Sequence, residues 1–220
     1  MNELAELYAL IAQSGPQPNP VEAVFGWNTD AMASYTEWTI TEYAHKDKFR
    51  SRFSYAVPTK EAIYKIISFA NGGTILEVGA GRGLWAHLIN LTTGAKTCIP
   101  TDSCANEFNE FIAVKGGTNW CGITVIPGLD AVKSNRGANV LMSIWPYMDE
   151  WSGEALVEFQ GNKFIFVGEH EGGCTGGDNM FEELDKNWEL IESVGIPQWD
   201  DMHDEMWLYE RKSKKGAINA

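Results

Sequence analysis

Three glycines at alternate positions, Gly79, Gly81 and Gly83, separate the run Ile75-Leu76-Glu77-Val78 from a second apolar run that begins at Leu84. Glycine takes positive φ at no steric cost and lets a ligand approach the backbone. A helix that starts just after such a turn aims its N–H groups at the same place. Asp102 closes the next apolar segment, about 20 residues on, where nucleotide-binding α/β folds carry an acid that accepts from ribose hydroxyls. The spacing is GxGxG, not the GxGxxG of dinucleotide sites. Glu77 stands two residues before the first glycine. A carboxylate there repels a pyrophosphate and attracts a sulfonium and an α-amino group. The residues therefore favour S-adenosylmethionine over NAD, bound by Glu77, Gly79, Ala80, Gly81, Gly83 and Asp102.

Two further segments carry groups fit for an acceptor site. Ser143-Ile144-Trp145-Pro146-Tyr147 ends an apolar run, and Trp145 and Tyr147 can wall a pocket or face a cation. Gly168-Glu169-His170-Glu171-Gly172-Gly173-Cys174-Thr175-Gly176-Gly177-Asp178 follows another such run and has the make-up of a substrate-facing loop. Glu169 is its candidate general base, with His170 or Glu171 behind it. Tyr55 is a candidate to cap the cofactor. His203-Asp204-Glu205 offers one imidazole beside two acids, which is not a metal ligand set and reads as solvated charge. No metal site is expected.

Elements must bring these groups together. The spacing predicts a helix over residues 1–13, with Leu4, Leu7, Tyr8 and Ile11 on one face. A Pro-rich linker at 15–20 follows, and then an aromatic, weakly patterned stretch to residue 56 that reads as a lid. Thr59 is an N-cap candidate for a helix with Ala62, Ile63, Ile66 and Ile67 on its apolar face. From residue 74 strands alternate with helices. Strands are expected over 74–78, 96–101, 122–126, 139–144 and 163–167, and helices over 84–91, 107–114, 152–159 and 181–186. The runs 188–194 and 205–211 have no long helix between them and should pair antiparallel. The expected fold is α/β and Rossmann-like, a mostly parallel sheet of about seven strands with an antiparallel C-terminal hairpin. Residues 1–57 would form a helical and irregular extension, 58–211 the ligand-binding domain and 212–220 a loose tail.

Bulk composition narrows the partners. The chain has 220 residues and a formal net charge of −13, where a binder of phosphate backbones should look basic. Duplex nucleic acid is thus a poor partner, and a small-molecule or protein acceptor a better one. Cys98, Cys104, Cys121 and Cys174 form no CxxC pair. With no signal-peptide pattern at residues 1–7 and no long apolar run, a cytoplasmic location off the membrane is expected.

Glu77-Val78-Gly79-Ala80-Gly81-Arg82-Gly83 resembles motif I of class I S-adenosylmethionine-dependent methyltransferases, and Asp102 matches that family's ribose-binding acid. The resemblance spans roughly residues 58–211 and implies a sheet with a reversed last strand. Tyr55-Ala56-Val57-Pro58-Thr59, Trp145-Pro146 and the Gly168–Thr175 loop are similar to segments of an uncharacterised methyltransferase-like subgroup. Base-modifying amino-methyltransferases carry Asp, Asn or Ser before Pro-Pro and an aromatic residue after the fourth strand. This chain departs from that pattern with Trp145-Pro146-Tyr147. The resemblance implies methyl transfer by in-line displacement, where alignment of acceptor, methyl and sulfur is the main task. Glu169 would serve if the acceptor must lose a proton. Three rival readings stand beside it: a non-catalytic S-adenosylmethionine-binding partner or sensor, a nucleic-acid base methyltransferase, and an NAD-dependent oxidoreductase.

Overall fold

The computed structural model describes residues 54–103, 119–198 and 202–213. The expected helices over 1–13 and 107–114, the linker and most of the lid segment lie outside them. The first described helix, α1 (Lys60–Ala70), starts where its sequence requires. Thr59 Oγ1 accepts from the Ala62 N–H at 3.1 Å, and Asn71 ends the helix in the left-handed region with its N–H on the Ile67 and Ser68 carbonyls. Ala62, Ile63, Ile66 and Ala70 are buried on its inner face.

Alternating elements follow: β1 (Ile75–Val78), α2 (Leu84–Thr93), β2 (Cys98–Asp102), β3 (Thr124–Val125), α3 (Gly128–Ser134), β4 (Val140–Ile144), α4 (Trp151–Glu158), β5 (Lys163–Gly168), α5 (Asp178–Asn187), β6 (Trp188–Gly195) and β7 (Glu205–Arg211). They build one seven-stranded sheet in the order β3-β2-β1-β4-β5-β7-β6. The pairs among β1 to β5 are parallel, and β7 is antiparallel to both β5 and β6. The expected hairpin is present, with β7 inserted between β5 and β6. The inverted strand is thus internal, and the edge falls to β6.

The period-two alternation of each strand feeds a core on either face. Ile75, Val140, Met142, Ile165, Val167, Met206 and Leu208 face α1 and α2. Leu76, Val78, Leu141, Phe164, Phe166, Trp207 and Tyr209 face α3, α4 and α5. Chain direction and sequence order make β1 and β4 the switch point, since β2 and β3 extend one way and β5 the other. In open α/β sheets ligands bind beyond the carboxyl ends of such a pair.

Four points differ from expectation. The strand over 122–126 shrinks to two exposed residues, because it forms the sheet edge and pairs on one side only. The seven-residue α3 was not expected, being too short for helical periodicity to register. Ala56 and Val57, assigned to the lid, are buried in the core against α1 and α2, with Trp85 Nε1 donating to the Ala56 carbonyl. Lys212, placed at the start of a loose tail, is tied down by bonds to Asn187 and Asp185 carbonyls.

Phe166 is fully buried, stacked on Trp207 at 5.3 Å and edge-on to Phe181 at 5.8 Å. Phe166→Ala is expected to destabilise the fold by about 3–5 kcal/mol. Urea unfolding followed by tryptophan fluorescence measures it, and a cost under about 1 kcal/mol would contradict this view of the core.

Candidate functional site at the strand switch point

β1 delivers the chain into the loop 79–83, where Gly79, Gly81 and Gly83 have φ of +74°, +55° and +76°. Positive φ at all three accounts for glycine on backbone grounds. The space that their missing side chains leave is partly filled by the protein itself. A Cβ at Gly79 would stand 3.4 Å from the Trp151 ring, and one at Gly83 would stand 2.8 Å from Cys121 Sγ. Close ligand approach at Gly79 and Gly83 therefore competes with Trp151 and with Cys121.

The loop's donors are largely spent. Ala80 N–H bonds the Thr101 carbonyl at 3.0 Å, Gly83 N–H the Ala80 carbonyl at 2.8 Å, and Gly81 N–H the Asp102 carboxylate at 2.8 Å. Asp102 ends β2 next to the switch point and is 9% exposed. The acid and the glycine loop, 21 residues apart, thus form one unit.

Glu77 is not at the mouth of this unit but beneath it. It lies inside β1, 1% exposed, and points to the α1–α2 face with Ile75. Its carboxyl accepts from the N–H of Ala86 in the first turn of α2. The N-cap residue of that helix, Gly83, has no side chain to do so, and Glu77 supplies the missing cap from another element. The second oxygen, Oε2, is buried with no hydrogen-bond partner among the described residues. Burial pushes the carboxyl up to about 8; the Ala86 N–H pulls the other way, and the charge of Asp102 adds to the rise. Cys121, half-buried nearby, is pushed up to about 11 by burial and by the charge of Glu77.

Across the switch point, Trp145 follows β4 with φ of +53°, an unusual value for a bulky residue. Three contacts hold it. Its N–H bonds the Val167 carbonyl at 2.7 Å, its indole Nε1 donates to Asp204 Oδ1 at 2.8 Å, and its ring stacks on Tyr55 at 4.7 Å and 23°. Tyr55 was expected over the cofactor; its placement is on Trp145. Asp204, read as solvated charge, is fully buried. The Pro146 carbonyl accepts from Gly176 N–H at 3.0 Å, and Tyr147 is exposed at the rim.

Glu169 differs from its expected role. It is 5% exposed, and its two oxygens accept from the N–H groups of Cys174 at 2.7 Å and His203 at 2.9 Å. Burial raises its pKa, but those two N–H donors outweigh it and hold the carboxyl below the ordinary value. An acid so engaged is a weak proton acceptor and a strong brace between the β5 loop and the segment before β7. His170 packs between Phe181 and Trp207, and Tyr209 Oη lies 3.5 Å from its Nε2. Sequence reading missed Asp204 and Trp151. The contacts that reveal them span 59 residues in one case and two separate loops in the other. Among the described residues no three His, Cys, Asp or Glu side chains cluster as a metal site, and no helix is long and apolar enough to cross a membrane.

No protein-family model matches the chain, and no curated protein matches it. Solved structures share its chain path at low identity. Magnesium protoporphyrin IX methyltransferase from Synechocystis, solved with bound S-adenosylmethionine, is 10% identical, with 69% of this chain and 77% of that chain covered and a TM-score of 0.45. The N-methyltransferase NodS from Bradyrhizobium japonicum is 12% identical, with 70% and 96% covered and a TM-score of 0.48. A protein of the NADB-Rossmann superfamily from Streptococcus agalactiae is 12% identical, with 67% of each chain covered and a TM-score of 0.43.

The Glu77 geometry has a measurable consequence. Its folded pKa of about 8 lies above the ordinary 4.5, so the native state binds more protons than the unfolded chain between those values. Its contribution to stability is full below pH 4.5 and is lost as pH rises through about 8. Glu77→Gln keeps the acceptor for Ala86 and removes the charge. It is expected to melt above the wild type at pH 9, with the gap closing by pH 5; a gap that does not change with pH would refute the buried ionisation.

Proposed function

We propose that this chain binds S-adenosylmethionine across the 79–83 loop and Asp102, and that it is a methyltransferase. The observation that carries this reading is the spending of the loop's donors. A dinucleotide site keeps its backbone N–H groups and helix N-terminus open to a pyrophosphate. Here the N–H groups of Ala80, Gly81, Gly83 and Ala86 already have acceptors, two of them carboxyl groups. A site with Glu77 beneath it and Asp102 beside it suits a positively charged ligand, and a cation there would favour ionisation of the buried Glu77 carboxyl.

Bound there, S-adenosylmethionine supplies a methyl group already activated on a sulfonium. Asp102 accepts from ribose hydroxyls while keeping the Gly81 N–H. Glu77 acts through the loop as a compensating charge rather than by contact. Trp145 and Tyr147 wall the acceptor side, Tyr55 backs Trp145 rather than capping the cofactor, and Glu169 holds the wall's loops in place. The net charge of −13 favours a small-molecule or protein acceptor over a phosphate polymer. The bond from Gly176 to the Pro146 carbonyl weighs against base amino-methylation, which would need that carbonyl for the target amine.

Calorimetry tests the reading. S-adenosylmethionine should bind the wild type and NADH should not; Asp102→Ala should weaken binding by about 10- to 100-fold, the loss of a charged hydrogen bond. No binding to the wild type would remove the proposal, and tighter binding of NADH would replace it with the oxidoreductase reading. Binding without release of S-adenosylhomocysteine in any acceptor pool would favour the sensor reading.

Proton linkage gives a second check. A cation above Glu77 favours its ionised form, so binding should release a proton and tighten as pH rises from 6 to 9. Glu77→Gln should flatten that dependence. Equal slopes for the two proteins would detach Glu77 from the ligand.

A further inference from the structure

The His203 side chain is 84% exposed, yet its place in the fold is fixed. It stands two residues before β7, whose first residue, Glu205, pairs with Gly168 at the end of β5. Two bonds tie this segment to the carboxyl edge of the sheet. Asp204 turns inward, fully buried, and bonds the Trp145 indole at the exit of β4. The His203 N–H donates to Glu169 Oε1 at the exit of β5 at 2.9 Å. The imidazole therefore stands by the ends of β4 and β5, next to the β1–β4 switch point.

Its ring nitrogens have different surroundings. Glu169 Oε1, which takes the backbone N–H, also lies 3.6 Å from Nδ1. Burial raises the Glu169 pKa, but the N–H groups of Cys174 and His203 outweigh it and keep the carboxylate ionised at neutral pH. A fixed anion beside Nδ1 favours the tautomer with its proton there and stabilises the imidazolium. That leaves Nε2 as the proton acceptor on an exposed ring. Imidazole exchanges protons near neutral pH, where a solvated carboxylate is a much weaker base. His170, on the β5 loop, is instead packed between Phe181 and Trp207.

Resting on the methyltransferase reading, we propose that His203, held by Glu169, takes a proton from the methyl acceptor, a hydroxyl or an ammonium group. His203 Nε2 takes the proton of the acceptor's O–H or N–H bond and leaves the electron pair on that atom. The pair forms the new bond to the methyl carbon while the S–C bond breaks and its electrons return to sulfur. The imidazolium then gives its proton to solvent. Glu169 stays ionised throughout and is a positioning residue. The acid expected as the base thus gives way to the histidine that it orients.

Two measurements on the full chain test this. In the first, nitrogen NMR of the histidine-labelled protein without cofactor reads the tautomer. Neutral His203 should carry its proton on Nδ1, and Glu169→Gln should shift it toward Nε2. In the second, labelled methyl from S-adenosylmethionine is offered at pH 7.5 to catechol, phenethylamine and quinoline. The first two must lose a proton, and quinoline has none to lose. Methyl should enter catechol or phenethylamine, and which one takes it identifies the acceptor group. His203→Ala should lower that rate by about 100-fold at unchanged cofactor affinity, with partial rescue by added imidazole. Glu171→Gln, a change at an exposed acid of the same loop, should keep the rate. Thermal melts show that each variant folds. An Nε2–H tautomer in the wild type, methyl in quinoline alone or in none of the three, or full rate in folded His203→Ala would overturn the proposal. Failure of S-adenosylmethionine to bind in calorimetry strikes the cofactor reading instead, and the tautomer still judges the His203–Glu169 pair.

Discussion

A carboxyl group in the middle of the central strand organises this end of the molecule. Burying Glu77 is costly unless something compensates its charge. The Ala86 N–H at the N-terminus of α2 offsets only part of that cost, and burial still pushes the carboxyl up to about 8. The bond takes one of the helix-end donors that an anionic ligand could use. One interaction therefore meets a structural requirement, the missing N-cap at Gly83.

The same device recurs around the carboxyl edge of the sheet. Asp102 takes the Gly81 N–H, Glu169 takes those of Cys174 and His203, and Asp204 takes the indole N–H of Trp145. Each of these acids is buried, and each fastens a loop to a neighbour. Hydrogen bonds to a charged acceptor are about twice as strong as neutral ones, so few are needed to hold several loops. The result is a sheet edge whose loops are framed by acids. The composition's excess of Asp and Glu is thus more than a solubility feature at this edge.

Strain at Trp145 fits this picture. A bulky residue in the left-handed region costs of order 1–3 kcal/mol and persists only where its surroundings hold it. Here β5 holds its N–H, Asp204 its indole and Tyr55 its ring face. Three elements far apart in sequence thus fix one side chain at the switch point.

Much of the frame was legible in the residues, because it rests on local rules. The glycine triplet, the Thr59 cap, the strand runs and the acid after β2 follow from dihedral freedom, capping and hydrophobic period, each a property of a few neighbouring residues. The roles of the acids were not legible in the same way. Glu77 stands at the expected position but under the loop, and Glu169 was read as a base although its oxygens are taken by backbone donors 5 and 34 residues away. Asp204 looked solvated and is fully buried. The place of β7 between β5 and β6 was likewise hidden, since a hairpin in sequence does not say which of its strands meets the sheet. Sequence by itself determined most of the elements and the glycine loop. Only the tertiary structure decided which carboxyl groups are spent as braces, because hydrogen-bond partners and desolvation depend on residues distant along the chain.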